Sequence, residues 1–452
     1  MIQRSLQQLA AITGGRQLGA DTEIRGLCTD SRKPLNGALF VALRGENHDG
    51  HEHVDSALSA GCAAALIARD SGSFQGPVVE VEDTLSALGL IAADWCKSSS
   101  ATVVAVTGSN GKTTVKNMLT SILARVDKTH STDGNFNNEI GVPLTLVSMP
   151  QDARFLVVEM GASQKGDIAY LCQLAKPNVG IVTNAGGAHL KGFGSIQGVA
   201  EAKGEMFSNL ADDGCAVINA DDQFAHLWRS LASERRQLAF GSNEQADVRA
   251  IDVHLGSTST FTLLSPSASI PVTLRRSGMH DVRNAAAAAA AALALGVAAD
   301  EICAGLAEFT PPPGRLAITG EEGKWVVVDD SYNANPSSLL AGVEAVSHIR
   351  PEVWVVLGDM AELGIDSDAL HFECGLQMKR ANVSRLFTLG PRARHCALGF
   401  GDGAEAFDDV DALASAVLSD IGSTQAAVLI KGSRRMRMER VVQVLQEAQS
   451  CC

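Results

Sequence analysis

The sequence has 452 residues, enough for two to four domains with sizeable cores. Hydrophobic residues make up 46% and charged residues 19%, as in an ordinary globular protein. The formal net charge of −14 excludes a broad nucleic-acid or membrane-surface footprint, and anionic substrates then require a local basic pocket.

Residues 1–83 read as a small α/β module. A short helix around Leu6, Leu9 and Ala10 leads to an extended piece at 22–28 and a strand over 38–43. A helix near 53–60 and strands at 63–68 and 78–81 close the module. Two polar turns, Asp30-Ser31-Arg32-Lys33-Pro34 and residues 44–51, suit an anionic handle, and ordinary solvated loops account for the same composition. Residues 84–97 then place Leu85, Leu88, Ile91, Ala92 and Trp95 at helical spacing, and Ser98-Ser99-Ser100 reads as a joint.

A buried-strand run, Thr102 to Val106, meets Thr107-Gly108-Ser109-Asn110-Gly111-Lys112-Thr113-Thr114 and a helical pattern over 112–124. A glycine-bearing turn between strand and helix points backbone N–H groups and the helix N-terminus at an anion. Lys112 then reaches the β- and γ-phosphates, and the Thr113 hydroxyl suits Mg²⁺. The common spacing, Gly-x-x-x-x-Gly-Lys-[Ser/Thr], requires glycine at 106, where this chain has Val106.

Strands follow at 155–159, 179–183 and 215–219, with a helix over 195–209. This β-α order predicts a mostly parallel sheet, covered on both faces, with function at its C-terminal edge. Glu159 ends one strand, His189 lies in a glycine-rich loop after the next, and Lys203 sits in the helix. A carboxylate and an imidazole suit a divalent cation, but a cap, a loop donor and a solvated lysine explain the three singly. An antiparallel patch is expected over 246–275. Arg283-Asn284 opens an alanine run, 285–292, and Asn284 as N-cap is the local explanation. Pro311-Pro312-Pro313-Gly314 is the clearest linker, and strands at 325–329, 353–357, 386–389 and 427–430 outline a third α/β unit. The expected boundaries are 1–83, 84–313 and 314–452. Ten scattered cysteines without a Cys-x-x-Cys pair predict reduced thiols in a cytoplasmic protein. No signal-like h-region or run of about 18 uncharged apolar residues occurs, so no membrane insertion is expected.

Over essentially its whole length the sequence resembles the Mur ligase family, ATP-dependent amide-forming enzymes of peptidoglycan precursor synthesis. The resemblance rests on residues 105–114, including the missing glycine at 106, and on Asn137-Asn138-Glu139-Ile140-Gly141, Glu159-Met160-Gly161, Ala202-Lys203-Gly204-Glu205, Arg283-Asn284-Ala285, Pro313-Gly314-Arg315 and Asp329–Pro336. Residues 188–195, 330–335 and 358–364 are most similar to the branch acting on UDP-N-acetylmuramoyl-tripeptide and D-alanyl-D-alanine. The Asp-Asn-Pro-Arg of the diaminopimelate-adding branch does not occur.

The resemblance implies an N-terminal domain for the UDP end of the acceptor, a central ATPase domain and a C-terminal Rossmann-like domain for the dipeptide. It implies ATP contacts from Gly108, Ser109, Asn110, Gly111, Lys112, Thr113 and Thr114, with Asn284 on adenine, Arg315 on phosphates and Asp330 on ribose. Thr113, Glu159 and His189 would serve Mg²⁺. Lys203 matches a lysine that several members carry as a carbamate, able to support a second Mg²⁺; an ordinary ammonium is the local alternative. Lys112, Lys203 and His189 are the expected catalytic groups. Ser31, Arg32, Asn137 and Asn138 are expected on the acceptor, and Tyr332, Asn333 and Asn335 where dipeptide and nucleotide meet. A monomer is expected. Two rivals remain: a folylpolyglutamate-type ligase, which lacks such an N-terminal domain, and a nucleotide switch that transfers nothing.

Overall fold

The apolar runs Val103–Val106 and Leu156–Val158 form adjacent parallel strands whose side chains are buried, because helices cover both faces of the sheet they share. In this computed structural model, residues 1–45, 47–187, 190–321 and 324–450 are described. The sheet has nine strands, in the order 269–274, 259–264, 248–254, 236–241, 215–219, 179–182, 102–107, 155–159 and 129–131. All pairs are parallel except the two that hold 259–264 in place. The antiparallel patch thus extends the parallel sheet, joined through Phe240 opposite Val248. Strand Thr102–Thr107 has neighbours that precede and follow different crossovers. This switch in strand order opens a crevice at the C-terminal edge, where the phosphate-loop residues emerge.

Asn284 is not an N-cap. The helix runs over Met279–Ala294 and starts after Gly278, which turns the chain at φ +105°. Asp281 in its first turn favours that earlier start through the helix dipole, and Asn284 falls in the second turn. Ala285–Ala292 are fully buried against the core shared with helix Lys112–Val126.

The first unit holds a five-stranded sheet, in the order 16–18, 78–81, 64–68, 39–41 and 27–28. It is tied to the central unit by backbone bonds from Met1 to Met149 and Ile2 to Val147, each 2.8 Å. The expected amphipathic helix runs over Thr84–Lys97, and its Leu88, Ile91 and Trp95 belong to one core spanning both units.

The last unit holds six strands, 317–319, 326–330, 426–431, 352–358, 385–389 and 404–407, parallel apart from the first. Its helices Ser367–Arg380 and Ala393–Phe400 meet at glycines. A Cβ on Gly375 would stand 2.1 Å from the Cys396 carbonyl oxygen. We expect Gly375→Ala to cost about 1–3 kcal/mol through this overpacking, read as a lower midpoint in chemical denaturation; an unchanged midpoint would disprove the close packing.

Candidate active site

Strand Thr102–Thr107 ends in the loop that starts helix Lys112–Val126, and two glycines make that loop possible. Gly108 has φ +149°, and a Cβ there would lie 1.8 Å from Thr183 Oγ1; Gly111, at φ +82°, would collide with Asn284 Oδ1 at 2.4 Å. The segment after strand Val179–Val182 braces the loop from behind. Thr183 Oγ1 donates to the Asn110 carbonyl (2.6 Å), and Asn184 Oδ1 accepts from the Asn110 N–H (2.9 Å). Ser109 Oγ accepts from the Gly186 N–H (2.9 Å). These bonds fix the loop before any ligand arrives.

Lys112 folds back on its loop, donating to the carbonyls of Gly108 (2.8 Å) and Ser109 (3.4 Å). Burial lowers its proton affinity, Glu159 raises it, and Arg315 lowers it again. Thr113 Oγ1 donates to Glu159 Oε2, and Asn137 Nδ2 to Oε1, each 2.8 Å. Glu159 is 2% exposed, so its two donors hold a carboxylate already shielded from water. Asn138 Oδ1 accepts from the Gly141 N–H (2.9 Å), where the next helix begins. Thr114 is buried within the helix. Lys203 is 2% exposed, its Nζ 6.0 Å over the Phe193 ring, and burial and the charge of Lys112 drive its proton affinity well below normal.

The C-terminal unit closes the other wall. Arg315 Nη2 donates to Thr113 Oγ1 (3.4 Å), and its guanidinium stands 4.1 Å over the Tyr332 ring. Asn335 caps helix Pro336–Ser347 through Oδ1 and donates from Nδ2 to Asn110 Oδ1 (2.9 Å). Asn333 Oδ1 accepts from the Ala334 N–H. Asp330 pairs with the buried Lys431 on the adjacent strand. All of these surround one cleft of about 1400 Å³, lined by nine Lys and Arg side chains against six Asp and Glu. That local excess of positive charge, on a chain of net −14, suits anions.

Some expected residues do not join this cleft. Ser31 and Arg32 lie outside its lining, and Arg32 is exposed and paired with Asp30 at 2.8 Å. His189 lies outside the described residues. Among the described residues no three His, Cys, Asp or Glu side chains converge as a metal site. Sequence reasoning passed over Thr183, Asn184, Arg276, Asp281 and Lys431. The run Thr183-Asn184-Ala185-Gly186-Gly187, small and polar directly after a buried strand, was the available signal for the brace.

The chain matches three family models in succession: "Mur ligase family, catalytic domain" over 23–95, "Mur ligase middle domain" over 106–292 and "Mur ligase, glutamate ligase domain" over 314–434. It is 40% identical to the UDP-N-acetylmuramoyl-tripeptide–D-alanyl-D-alanine ligase of Escherichia coli K12, over the full length of both chains. The chain belongs to the Mur ligase family. Its fold agrees: the crystal structure of MurF from Acinetobacter baumannii is similar at a TM-score of 0.93, with 33% identity and 99% of each chain covered. The Thermotoga maritima MurF structure in complex with ADP is similar at 0.85, with 30% identity, 94% of this chain and 98% of that one. The mostly parallel central sheet between two further α/β units is therefore a Mur ligase architecture. Among the described residues of this Mur ligase no helix is long and apolar enough to cross a membrane.

Proposed function

We propose that this Mur ligase joins D-alanyl-D-alanine to the terminal carboxylate of UDP-N-acetylmuramoyl-tripeptide, consuming ATP and giving ADP and phosphate in peptidoglycan precursor synthesis. The observation that carries the reading is one basic cleft walled by the phosphate loop on one side and by Arg315 and Tyr332–Asn335 on the other. Full-length similarity to relatives of that name supports the same substrates.

A peptide carboxylate is a poor electrophile, so it must be activated. The γ-phosphoryl of ATP passes to one carboxylate oxygen, giving an acyl phosphate and ADP. Lys112 and Arg315 stabilise the charge on the phosphoryl oxygens. The free amine of the dipeptide attacks the acyl carbon and loses a proton, and phosphate leaves from the tetrahedral intermediate. The loop amides of 108–114 orient the phosphates, Asn284 reads adenine, and Asp330 takes the ribose. Asn137 and Asn138 meet the acceptor, and Tyr332, Asn333 and Asn335 meet the dipeptide beside the nucleotide. Ser31 and Arg32 hold the UDP end from the N-terminal domain. The working boundaries are 1–83, 84–313 and 314–452, and closure of these parts excludes water from the acyl phosphate.

Thr113 and Glu159 fit a Mg²⁺ ion: both present hard oxygen donors, and their side chains already meet at 2.8 Å on the cleft wall. Bound there with His189, such an ion would neutralise charge on the phosphates. Lys203 as a carbamate supplies a second anion. We assign the enzyme to the cytoplasm as a monomer.

Acceptor labelled with ¹⁸O in its terminal carboxylate should pass one ¹⁸O into the released phosphate, read by mass spectrometry. Unlabelled phosphate would rule out the acyl phosphate.

A further inference from the structure

Helix Met279–Ala294 carries Asp281 and Asn284 almost one turn apart, so their side chains share a face. Asp281 is 1% exposed. Its Oδ2 accepts from Arg276 Nε at 2.5 Å and lies 3.5 Å from His280 Nε2, while Oδ1 accepts from Asn284 Nδ2 at 3.2 Å. Arg276, itself buried, also donates through Nη1 to the Arg315 carbonyl (2.8 Å) and stands 5.9 Å over the Phe309 ring. Burial opposes ionisation of Asp281, but the charges of Arg276 and His280 and the hydrogen bonds from Arg276 and Asn284 outweigh it and hold the carboxyl below its usual range.

An ionised carboxylate accepts only. A side-chain amide has a donating NH₂ end and an accepting oxygen. Only the NH₂ end of Asn284 can therefore face Asp281, and the oxygen must point elsewhere. It points to the phosphate loop: a Cβ built on Gly111 would lie 2.4 Å from Oδ1 but 3.5 Å from Nδ2. Both Gly111 and Asn284 line the cleft.

We propose that Asp281 sets the nucleobase selectivity of the cleft by locking the Asn284 amide with its oxygen outward. An outward acceptor pairs with a base carrying an exocyclic amino donor, as adenine does at its 6-position. It opposes one carrying a carbonyl there, as guanine does. The inference rests on the reading of Asn284 as the adenine contact. Asp281 touches no ligand; it is a positioning residue, and Arg276 keeps it charged while tying it to the Arg315 backbone.

The test is calorimetric titration of the full chain with ADP, GDP and IDP. In the unmodified protein IDP should bind as weakly as GDP, about ten- to hundredfold weaker than ADP, because both oppose two acceptors at position 6. IDP binding as tightly as ADP would overturn the proposal without any variant. Asp281→Asn frees the Asn284 amide to rotate, and the ADP-to-GDP preference should fall about tenfold or more. In Asp281→Asn combined with Asn284→Asp, the new amide donates to the new carboxylate, which again offers an oxygen to the base, so the preference should return. A purely structural role predicts equal loss for ADP and GDP and no rescue by the exchange, and either result overturns the role of Asp281. If instead Asn284→Ala leaves ADP affinity unchanged, the adenine contact itself is wrong; an Asn284-dependent preference that survives Asp281→Asn refutes only the lock.

Discussion

Lys112→Ala should lower ATP turnover by at least about 10³-fold while leaving the fold intact. The magnitude follows from the chemistry: phosphoryl transfer leaves the protein little to do except position and stabilise charge, and single cationic or oxyanion donors in such sites carry factors of about 10²–10⁵. The location of the amine supports the upper part of that range. Lys112 is held by two carbonyls of its own loop, and among the described residues no carboxylate comes within ion-pair distance. Burial works against its charge. A buried cation kept without a carboxylate in ion-pair contact destabilises the resting loop and is relieved when phosphate arrives. Alanine removes that unfavourable charge, so the thermal midpoint should stay level or rise while ADP affinity falls. Normal ADP release in this variant, still dependent on acceptor and dipeptide, would refute the assignment.

Lys203→Ala should cost about 10²–10³-fold in turnover, with part of the loss restored by formate or acetate. Lys203 is buried and has no hydrogen-bond or ion-pair partner among the described residues, only the Phe193 ring at 6.0 Å. Desolvation and the nearby Lys112 charge both favour its neutral form. A neutral amine adds CO₂ and releases a proton, giving an N-carboxylate. The product reverses the sign of the group, so an amine disfavoured as a cation beside Lys112 becomes a favoured anion. A small carboxylate diffusing into the space left by alanine would replace that anion. Protein equilibrated with ¹³CO₂ should show a carbamate carbon resonance that the variant lacks. Full activity of Lys203→Ala without added carboxylate would reject the carbamate.

The central unit was the most legible part of the chain, for a physical reason. Val103–Val106, Leu156–Val158 and Ala216–Ile218 are parallel strands covered on both faces, so they appear as unbroken apolar runs. Strand Arg236–Gly241 was not legible, because its polar start, Arg236-Gln237, hides the pattern. The edge strand Thr129–Ser131 has only three half-buried polar residues and no apolar signature at all. Asn284 shows a different limit. Its type and neighbours suited an N-cap, but Gly278 and Asp281 had already set the helix start five residues earlier. The phosphate loop could be recognised from its strand, glycines and lysine. Its brace could not, since Thr183 and Asn184 lie more than seventy residues away and meet Asn110 only through sheet order. Ser31 and Arg32 sit in a polar turn that composition leaves open between an anion handle and a solvated loop, and in the fold Arg32 is exposed and pairs with Asp30.

Both substrates should meet ATP in this cleft before ADP can leave productively. The most direct test is initial-rate ADP release by the full-length protein supplied with ATP, Mg²⁺ and UDP-N-acetylmuramoyl-tripeptide, with and without D-alanyl-D-alanine. Sustained release should require both, with one dipeptide incorporated per ADP. Equal ADP release without the dipeptide, or release with no incorporation, would contradict a ligase and favour a nucleotide switch.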